Sequence, residues 1–436
     1  MLNINPPVFE PPGKDSFESS LWHETAISAQ PYPRLEKAET ADTLIIGAGY
    51  TGLSAAIELA GSGVDAIVLD AREPGFGASG RNGGQVIPAF KYDPDQIGKV
   101  FGESDGRAVL DMVSRTADAV FDLVRRFDIA CEPTSGWIQA AHNQRSADML
   151  ASRCEQWRAR GAPVDMLDAA QIKRLLGTDA YAAGVLFRHA GTVQPLSYAR
   201  GLAAAAQSLG ARIYNYSPVV KLERNGQGWR AATESATVDA ARVVIATNGY
   251  TTPIWPGLHE SIVPVYSMQI ATDPLPEPIA REVMPVVRSM ADTRRLVCYA
   301  RKDGADRFII GMRGPFKARP SEEDARGLVA AARALYPALQ GMAFPYRWAG
   351  RVAMTADHIP HLHRLAPGVV AGLGYNGRGV GMATMMGRIL AAACIDGAQG
   401  VPAYPCTPLK PIPFHMFYRV GVQAMVTYYR MLDRYS

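Results

Sequence analysis

Polar and proline-rich positions dominate residues 1 to about 40, and the pattern changes abruptly at ADTLIIGAGYTGLSAAIELAGSGVDAIVLDAR, residues 41–72. Leu44–Ile46 is a short apolar run of the buried-strand kind, Leu53–Leu59 a small-residue helix, and Ala66–Leu69 a second buried strand. Together they predict a βαβ unit of about thirty residues. Val109, Met112, Val113, Val120, Val124 and Phe127 then recur at helical spacing, which predicts one core-packing helical stretch before a turn. Residues 198–250 read as a helix followed by several strands ending in Val243–Ala246, a return to the first sheet. Between 253 and 350 the apolar pattern becomes strand-like around Ile262–Ile270, Leu296–Tyr299 and Phe308–Ile310. A helix is expected after Pro320, with Ser321 as its cap and Asp324 three residues on. No internal repeat is visible.

Composition narrows the class without choosing a chemistry. A 436-residue chain with 48% hydrophobic and 20% charged residues predicts a soluble globular protein of two or three units. The net charge of +4 comes with no basic stripe, so no nucleic-acid partner is expected. Cys131, Cys154, Cys298, Cys394 and Cys406 form no C-x-x-C pair and are odd in number, which predicts reduced thiols and a cytoplasmic setting. The N-terminus MLNINPPVFEPPGKDSF lacks a signal-peptide pattern, and no apolar run reaches the roughly 18 residues that a bilayer span needs.

Gly47-Ala-Gly49-Tyr50-Thr51-Gly52 lies between the first strand and the first helix, and Asp70-Ala71-Arg72 closes the second strand. The first glycine permits the tight turn, the second lets the backbone approach a pyrophosphate, and the third lets helix and strand pack closely. The helix N-terminus then faces the phosphates while the carboxylate accepts from a ribose hydroxyl. Strand, helix and acid are all in place, so a dinucleotide site is favoured over a ligand-free glycine turn. FAD and NAD share the adenosine diphosphate and are not separated by this fingerprint.

Two further glycine clusters change that balance. Gly75-Phe-Gly77-Ala78-Ser79-Gly80-Arg81-Asn82-Gly83-Gly84-Gln85 follows the second strand, where extended backbone could wrap a bulky cofactor; the plainer alternative is a flexible surface loop. Gly372-Leu-Gly374-Tyr375-Asn376-Gly377-Arg-Gly379-Val380-Gly381 follows the strand-like VVAGL and opens a helix from about Met382 to Ala393. Free N–H groups and a positive dipole end aimed at one point suit the carbonyl edge of a flavin, which gains negative charge on reduction. Helix packing is the competing explanation of that cluster.

GAGYTGLSAA with Asp70, GFGASGRNGGQ, Thr355-Ala-Asp357-His-Ile-Pro360 and GYNGRGVGM resemble the FAD-dependent oxidoreductases of the D-amino-acid oxidase (DAO) type over nearly the whole chain. The SGRNGGQ loop, proline-containing lead and aromatic tail are most similar to gamma-glutamylputrescine-oxidising members. The resemblance implies an α/β (α+β) fold: a Rossmann-like FAD-binding domain of the glutathione-reductase type with a discontinuous substrate domain on a mixed or antiparallel sheet. The FAD domain would comprise 40–95, 187–252 and 345–400, the substrate domain 96–186 and 253–344, with a lead at 1–39 and a tail at 401–436. By position Val219 would hold the adenine through its backbone, and Thr247 and Gly249 would lie near the pyrophosphate. Ser79–Gln85 and Tyr375–Gly381 would surround the isoalloxazine.

The chain departs from the family pattern at two places. Some members attach flavin through a cysteine where Val352 stands, and carry a lysine that assists oxygen where Ile309 stands. Non-covalent FAD follows from the first, and from the second a quinone-type electron acceptor is favoured, with oxygen as the alternative. The expected reaction is oxidation of an amine or amino-acid C–N bond by hydride transfer to flavin N5, which needs proximity and a neutral amine but no acid–base dyad. Tyr266, Gln269, Tyr299, Arg301 and Arg313 are candidate substrate contacts, though residues of these kinds are more often ordinary strand residues. A gamma-glutamylputrescine-like amine leads, a cyclic secondary amino acid such as pipecolate follows, and an NAD-dependent dehydrogenase or a non-catalytic flavin-binding protein are the rivals of other classes.

His358, His361 and His363 mimic metal-ligand spacing, but no fourth ligand is suggested and no metal is expected. Phe414, Phe417, Tyr418, Tyr428, Tyr429 and Tyr435, with Arg419, Arg430 and Arg434, form an aromatic and basic tail. Packing on the protein's own body is its commoner role, and a peripheral contact with the membrane's inner face is the functional alternative.

Overall fold

The computed structural model describes residues 17–395 and 403–435. Residues 1–16 of the lead, 396–402 where the last expected FAD-domain segment meets the tail, and Ser436 lie outside the described residues.

The first sheet runs His361–Ala366, Val369–Leu373, Thr237–Ile245, Glu39–Ile46, Ala66–Leu69, Arg212–Tyr214, with Gly228–Ala232 and Lys221–Asn225 continuing as a meander beside Thr237–Ile245. The five strands from Val369–Leu373 to the edge strand Arg212–Tyr214 are parallel. Parallel strands are buried on both faces, and the alternation of side chains divides them. Ile45, Val68, Val244 and Val370 join the core that includes helices Tyr50–Gly61, Pro195–Ser208 and Gly379–Ala392. Leu44, Ile46, Ile67, Leu69, Val243 and Ile245 pack instead with Leu35, Trp229 and Leu258. The two helices that follow glycine clusters cross closely, since a Cβ on Gly387 would lie 2.4 Å from the Thr51 carbonyl oxygen.

The second sheet runs Tyr346–Met354, Val263–Ala271, Phe308–Arg313, Tyr299–Lys302, Ser289–Asp292, Thr134–Ala141, Ala183–Thr192, Gln85–Val86, with Val164–Asp168 beside Ala183–Thr192. It is mixed: Ser289–Asp292 runs parallel to Thr134–Ala141, and the other pairs are antiparallel. The fold is therefore the expected one, a Rossmann-like sheet joined to a mixed sheet. Gln85–Val86 leaves the second glycine cluster and pairs at the edge of the second sheet, so that cluster is held between the two sheets.

Ser321 caps helix Glu322–Leu335 with a reciprocal capping box to Asp324, as its sequence predicts. The stretch expected as one helix over 109–127 is two, Glu103–Ser114 and Thr116–Arg126. The chain bends at Arg115, and this brings the Thr116 carbonyl oxygen to 3.0 Å from a Cβ position on Gly381, a contact invisible to local periodicity.

Candidate flavin and substrate site

Gly47, Asp70, Thr247 and Gly374 each follow the carboxyl end of a parallel strand. They gather where successive strands leave to opposite sides of Glu39–Ile46, the crevice that doubly wound sheets use for ligands. Short bonds tie the pieces together. The Ala48 and Arg72 N–H groups donate to the Asp70 carboxylate at 2.6 and 2.8 Å. Gly374 donates to Asn248 Oδ1 at 2.9 Å, and Gly75 N–H reaches the Ala48 carbonyl at 3.0 Å. Tyr50 N–H donates to Ser79 Oγ at 3.0 Å, while Thr51 Oγ1 and the Tyr375 hydroxyl lie 2.6 Å apart. The three glycine clusters, separated by up to about 300 residues of chain, thus form one rim.

The three fingerprint glycines answer to different neighbours. Gly47 has φ +109 and a Cβ position 3.0 Å from the Ala246 carbonyl oxygen, and a Cβ on Gly52 would lie 1.9 Å from the Gly47 oxygen. The protein itself requires both. Gly49 has φ −86, and its Cβ position meets only the Ser79 side chain, with Oγ at 3.0 Å. The fold leaves space beside Gly49, at the N-terminus of Tyr50–Gly61, where a dinucleotide pyrophosphate would sit. Burial raises the Asp70 carboxyl above its ordinary range while the two N–H donors pull it down. The backbone of Ser217 donates to the Asp70 carbonyl at 2.7 Å, which sets the segment leading to half-buried Val219 beside Ala71 and the acid.

The second cluster presents backbone, because its longer side chains are held by the protein. Arg81 is buried, with Nε on the Phe76 carbonyl at 2.8 Å and its guanidinium over Phe17 and Phe76. Asn82 Nδ2 donates to the Ala78 and Ser79 carbonyls and to the Tyr50 hydroxyl. Gln85 Nε2 donates to the carbonyls of Met290 and Ala300, and its Oε1 accepts from the Trp137 indole at 3.1 Å. Gly77 lies against the Tyr250 ring, Gly80 against Leu196, and Gly84, at φ +69, against the Val193 carbonyl. In the third cluster Asn376, at φ +50, bonds to Thr355, Gly377 has φ +83, and Gly379 and Val380 begin the helix Gly379–Ala392. Gly249 abuts the Arg351 backbone, and Thr247 bonds to Thr251 at 2.7 Å between their hydroxyls.

One face of the second sheet covers this rim. Gln269 Nε2 and Trp348 Nε1 both donate to the Arg81 carbonyl, the latter at 3.0 Å, and the Tyr299 ring lies 2.9 Å from a Cβ position on Gly83. The Tyr299 hydroxyl is 2.7 Å from Ser267 Oγ. Arg301 is fully buried, donates to Val193 O at 2.6 Å and lies over Trp22; burial pulls its pKa down to about 10. Half-buried Arg313, over the Phe316 ring, shares this face through its pairing with Ser267. Tyr266 falls on the opposite face by strand alternation, where its hydroxyl accepts from Arg351 Nε at 3.0 Å. Of the five sequence candidates, Tyr299 and Arg313 therefore lie on the face toward the glycine rim, while Gln269 and Arg301 brace the loop.

Sequence reading missed Arg378, although it stands inside the quoted GYNGRGVGM. It occupies the N-cap of the helix Gly379–Ala392, with its guanidinium 5.5 Å from the centre of the Trp137 ring. It makes no ion pair among the described residues. Burial, together with the Arg153 cation nearby, pulls its pKa down to about 10. An arginine amid glycines was the available signal. The histidines have structural work: His361 bonds to Thr407 and Asp357, and His363 stacks on His361 and bonds to the Thr407 carbonyl.

Residues 42–393 match the family model of FAD dependent oxidoreductases, DAO. The chain is 31% identical over 419 residues to the gamma-glutamylputrescine oxidoreductase of Escherichia coli, covering 95% of this chain and 98% of that protein. It is 32% identical over 419 residues to the probable oxidoreductase OrdL of Haemophilus influenzae, covering 93% and 94%. Glycine oxidase from Geobacillus kaustophilus superposes with a TM-score of 0.72 at 22% identity, over 86% of this chain and 99% of that one. With its three glycine clusters gathered on the rim of a Rossmann-like sheet, the chain belongs to the DAO family of FAD-dependent oxidoreductases, flavoenzymes that act on the C–N bonds of amines and amino acids.

Proposed function

We propose that the protein oxidises an amine that also carries a carboxylate, of the gamma-glutamylputrescine kind, to an imine that water then hydrolyses. The observation that carries this reading is Arg378, a largely desolvated cation with no acidic partner among the described residues. A cation so placed gains most from an anionic group that arrives with the substrate. Bound FAD would supply the two-electron acceptor for hydride from the carbon next to nitrogen. The chain's own contribution is to orient: Tyr299 with Ser267 limits the approach over Gly83, Arg378 and Arg313 hold carboxylate, and the apolar wall of Trp348 and Ile309 excludes water. The 31% identity to gamma-glutamylputrescine oxidoreductase supports that substrate over pipecolate. The two sheets support a division into a cofactor unit and a substrate unit.

Anaerobic addition of gamma-glutamylputrescine, putrescine and pipecolate to the purified flavoprotein tests the reading. Rapid bleaching of the flavin by gamma-glutamylputrescine is expected; bleaching by pipecolate alone would transfer the assignment to a cyclic amino acid. Arg378→Met should raise KM for gamma-glutamylputrescine by about tenfold to a hundredfold, with little change for putrescine, which has no carboxylate. An equal loss for both amines would reject the anchor.

We further propose that the FAD is held without a covalent bond. Val352 offers no nucleophile, and burial pushes the thiols of Cys131 and Cys298 up to about 12, so neither is a thiolate at neutral pH. Acid precipitation should release yellow flavin to the supernatant. Flavin retained on the denatured polypeptide would overturn the proposal.

A further inference from the structure

Among the described residues, seven of the thirteen exposed large hydrophobic side chains fall between Phe414 and Met431. Phe414 is 82% exposed, Val420 70% and Met431 51%. Scattered apolar residues are ordinary on a protein surface, whereas a contiguous set on one short segment marks a contact. The expectation that the tail packs on the protein's own body is thus met only in part. Val426 is buried, the Tyr418 ring lies 6.1 Å from Phe316, and His415 Nε2 is 2.8 Å from the Ile262 carbonyl oxygen. Those contacts hold the helix Tyr418–Tyr435 to the body as far as its middle and leave much of its surface outward.

The order of residues around that helix shows what the outward face is suited to meet. At about 100° per residue, Arg419, Gln423, Thr427, Arg430, Asp433 and Arg434 fall on one arc of roughly 120°, which buried Val426 shares. Val420, Ala424, Met425, Tyr428 and Met431 fall on the arc opposite, with Gly421 between them. The segment 403–436 contains Lys410, Arg419, Arg430 and Arg434 against the single acid Asp433. A helix with an apolar face, a basic polar face and moderate hydropathy lies in the plane of a lipid surface with its apolar side in the headgroup boundary. No helix of the described residues is long and apolar enough to cross a membrane.

We propose that the C-terminal helix Tyr418–Tyr435, with the Phe414–Phe417 turn before it, is a docking surface for an anionic lipid bilayer. Charge selects this occupant over a second copy of the chain: two basic segments repel, whereas each basic residue near an anionic surface adds about fivefold to affinity. The docked face connects to the site. Tyr418 touches Phe316, Phe316 lies 4.8 Å beneath Arg313, and Arg351, which bonds to Tyr266, lies over Tyr250 against Gly77. Binding at the membrane would therefore set the flavin rim beside lipid-dissolved electron acceptors.

The experiment is co-sedimentation of the full-length flavoprotein with vesicles of phosphatidylcholine alone and of phosphatidylcholine with phosphatidylglycerol. At least tenfold tighter association with the anionic vesicles is expected, weakening as salt rises. The double substitution Val420→Asp with Met431→Asp should abolish association while leaving flavin content and turnover with a soluble dye unchanged. Failure to bind anionic vesicles would overturn the proposal. So would equal binding to neutral vesicles, or a dimer in sedimentation analysis that the same double substitution dissolves.

Discussion

Gly49→Val protein should purify folded but with at least about tenfold less FAD than the wild type, read as the ratio of absorbance near 450 nm to that at 280 nm. The reason lies in what each fingerprint glycine touches. Gly52→Ala would drive a methyl to 1.9 Å from the Gly47 carbonyl oxygen, and Gly47→Ala would force φ +109 on an L-residue, so both should lower the melting temperature of the apoprotein. Valine at position 49 asks only the Ser79 hydroxyl, 3.0 Å from the Cβ position, to give way. Its γ-methyls instead occupy the approach to the N-terminus of Tyr50–Gly61. Asp70→Ala is a less clean test, because it also strips the acceptor from the Ala48 and Arg72 N–H groups, about 1–3 kcal/mol for each donor left buried and unpaired. Wild-type flavin content in Gly49→Val would remove the pyrophosphate from this loop.

Substrate-reduced enzyme should pass its electrons to a soluble quinone at least about a hundredfold faster than to dissolved oxygen. Oxygen reduction begins with charge developing on oxygen, and one preorganised cation or donor at such a point is worth on the order of 10²–10³ in rate. Ile309 supplies none: it is 1% exposed and packs with Trp22, Leu196, Ala271 and Trp348. Arg81, Arg301 and Lys302 are engaged elsewhere. Arg301 is committed to the Val193 carbonyl, the Arg81 guanidinium lies over Phe17 and Phe76, and Lys302 donates to the Ala280 carbonyl at 2.6 Å and faces Asp306. Stopped-flow reoxidation after anaerobic reduction by substrate is the measurement. Stoichiometric peroxide formed faster than the quinone is reduced would restore a strict oxidase, with Arg301 as the first cation to substitute.

The residues legible from sequence are those whose demands are local. A strand, a glycine at positive φ, a helix and a closing acid occur within 32 consecutive residues at 39–70, and backbone sterics with side-chain period are enough to recognise them. The Ser321 capping box is likewise complete within four residues. Local periodicity over 109–127 gives no sign of the bend at Arg115, which accompanies a contact of Thr116 with Gly381, far along the chain.

What the tertiary structure alone decided depends on pairing across long separations. Strand register put Tyr299 and Arg313 on the face toward the glycine rim and Tyr266 on the other, a choice that reverses with a one-residue slip. Partners 108 residues or more away turned Gln269 and Arg301 into braces for the loop. Arg378 stood in the sequence among glycines, but its lack of a counter-ion among the described residues is a property of its surroundings. The composition and order of the tail belong to the sequence, and the exposure of its apolar arc belongs to the fold. Local covalent geometry and periodicity act over a few residues, whereas burial, charge pairing and exposure are set by whichever distant segments the packed chain brings alongside.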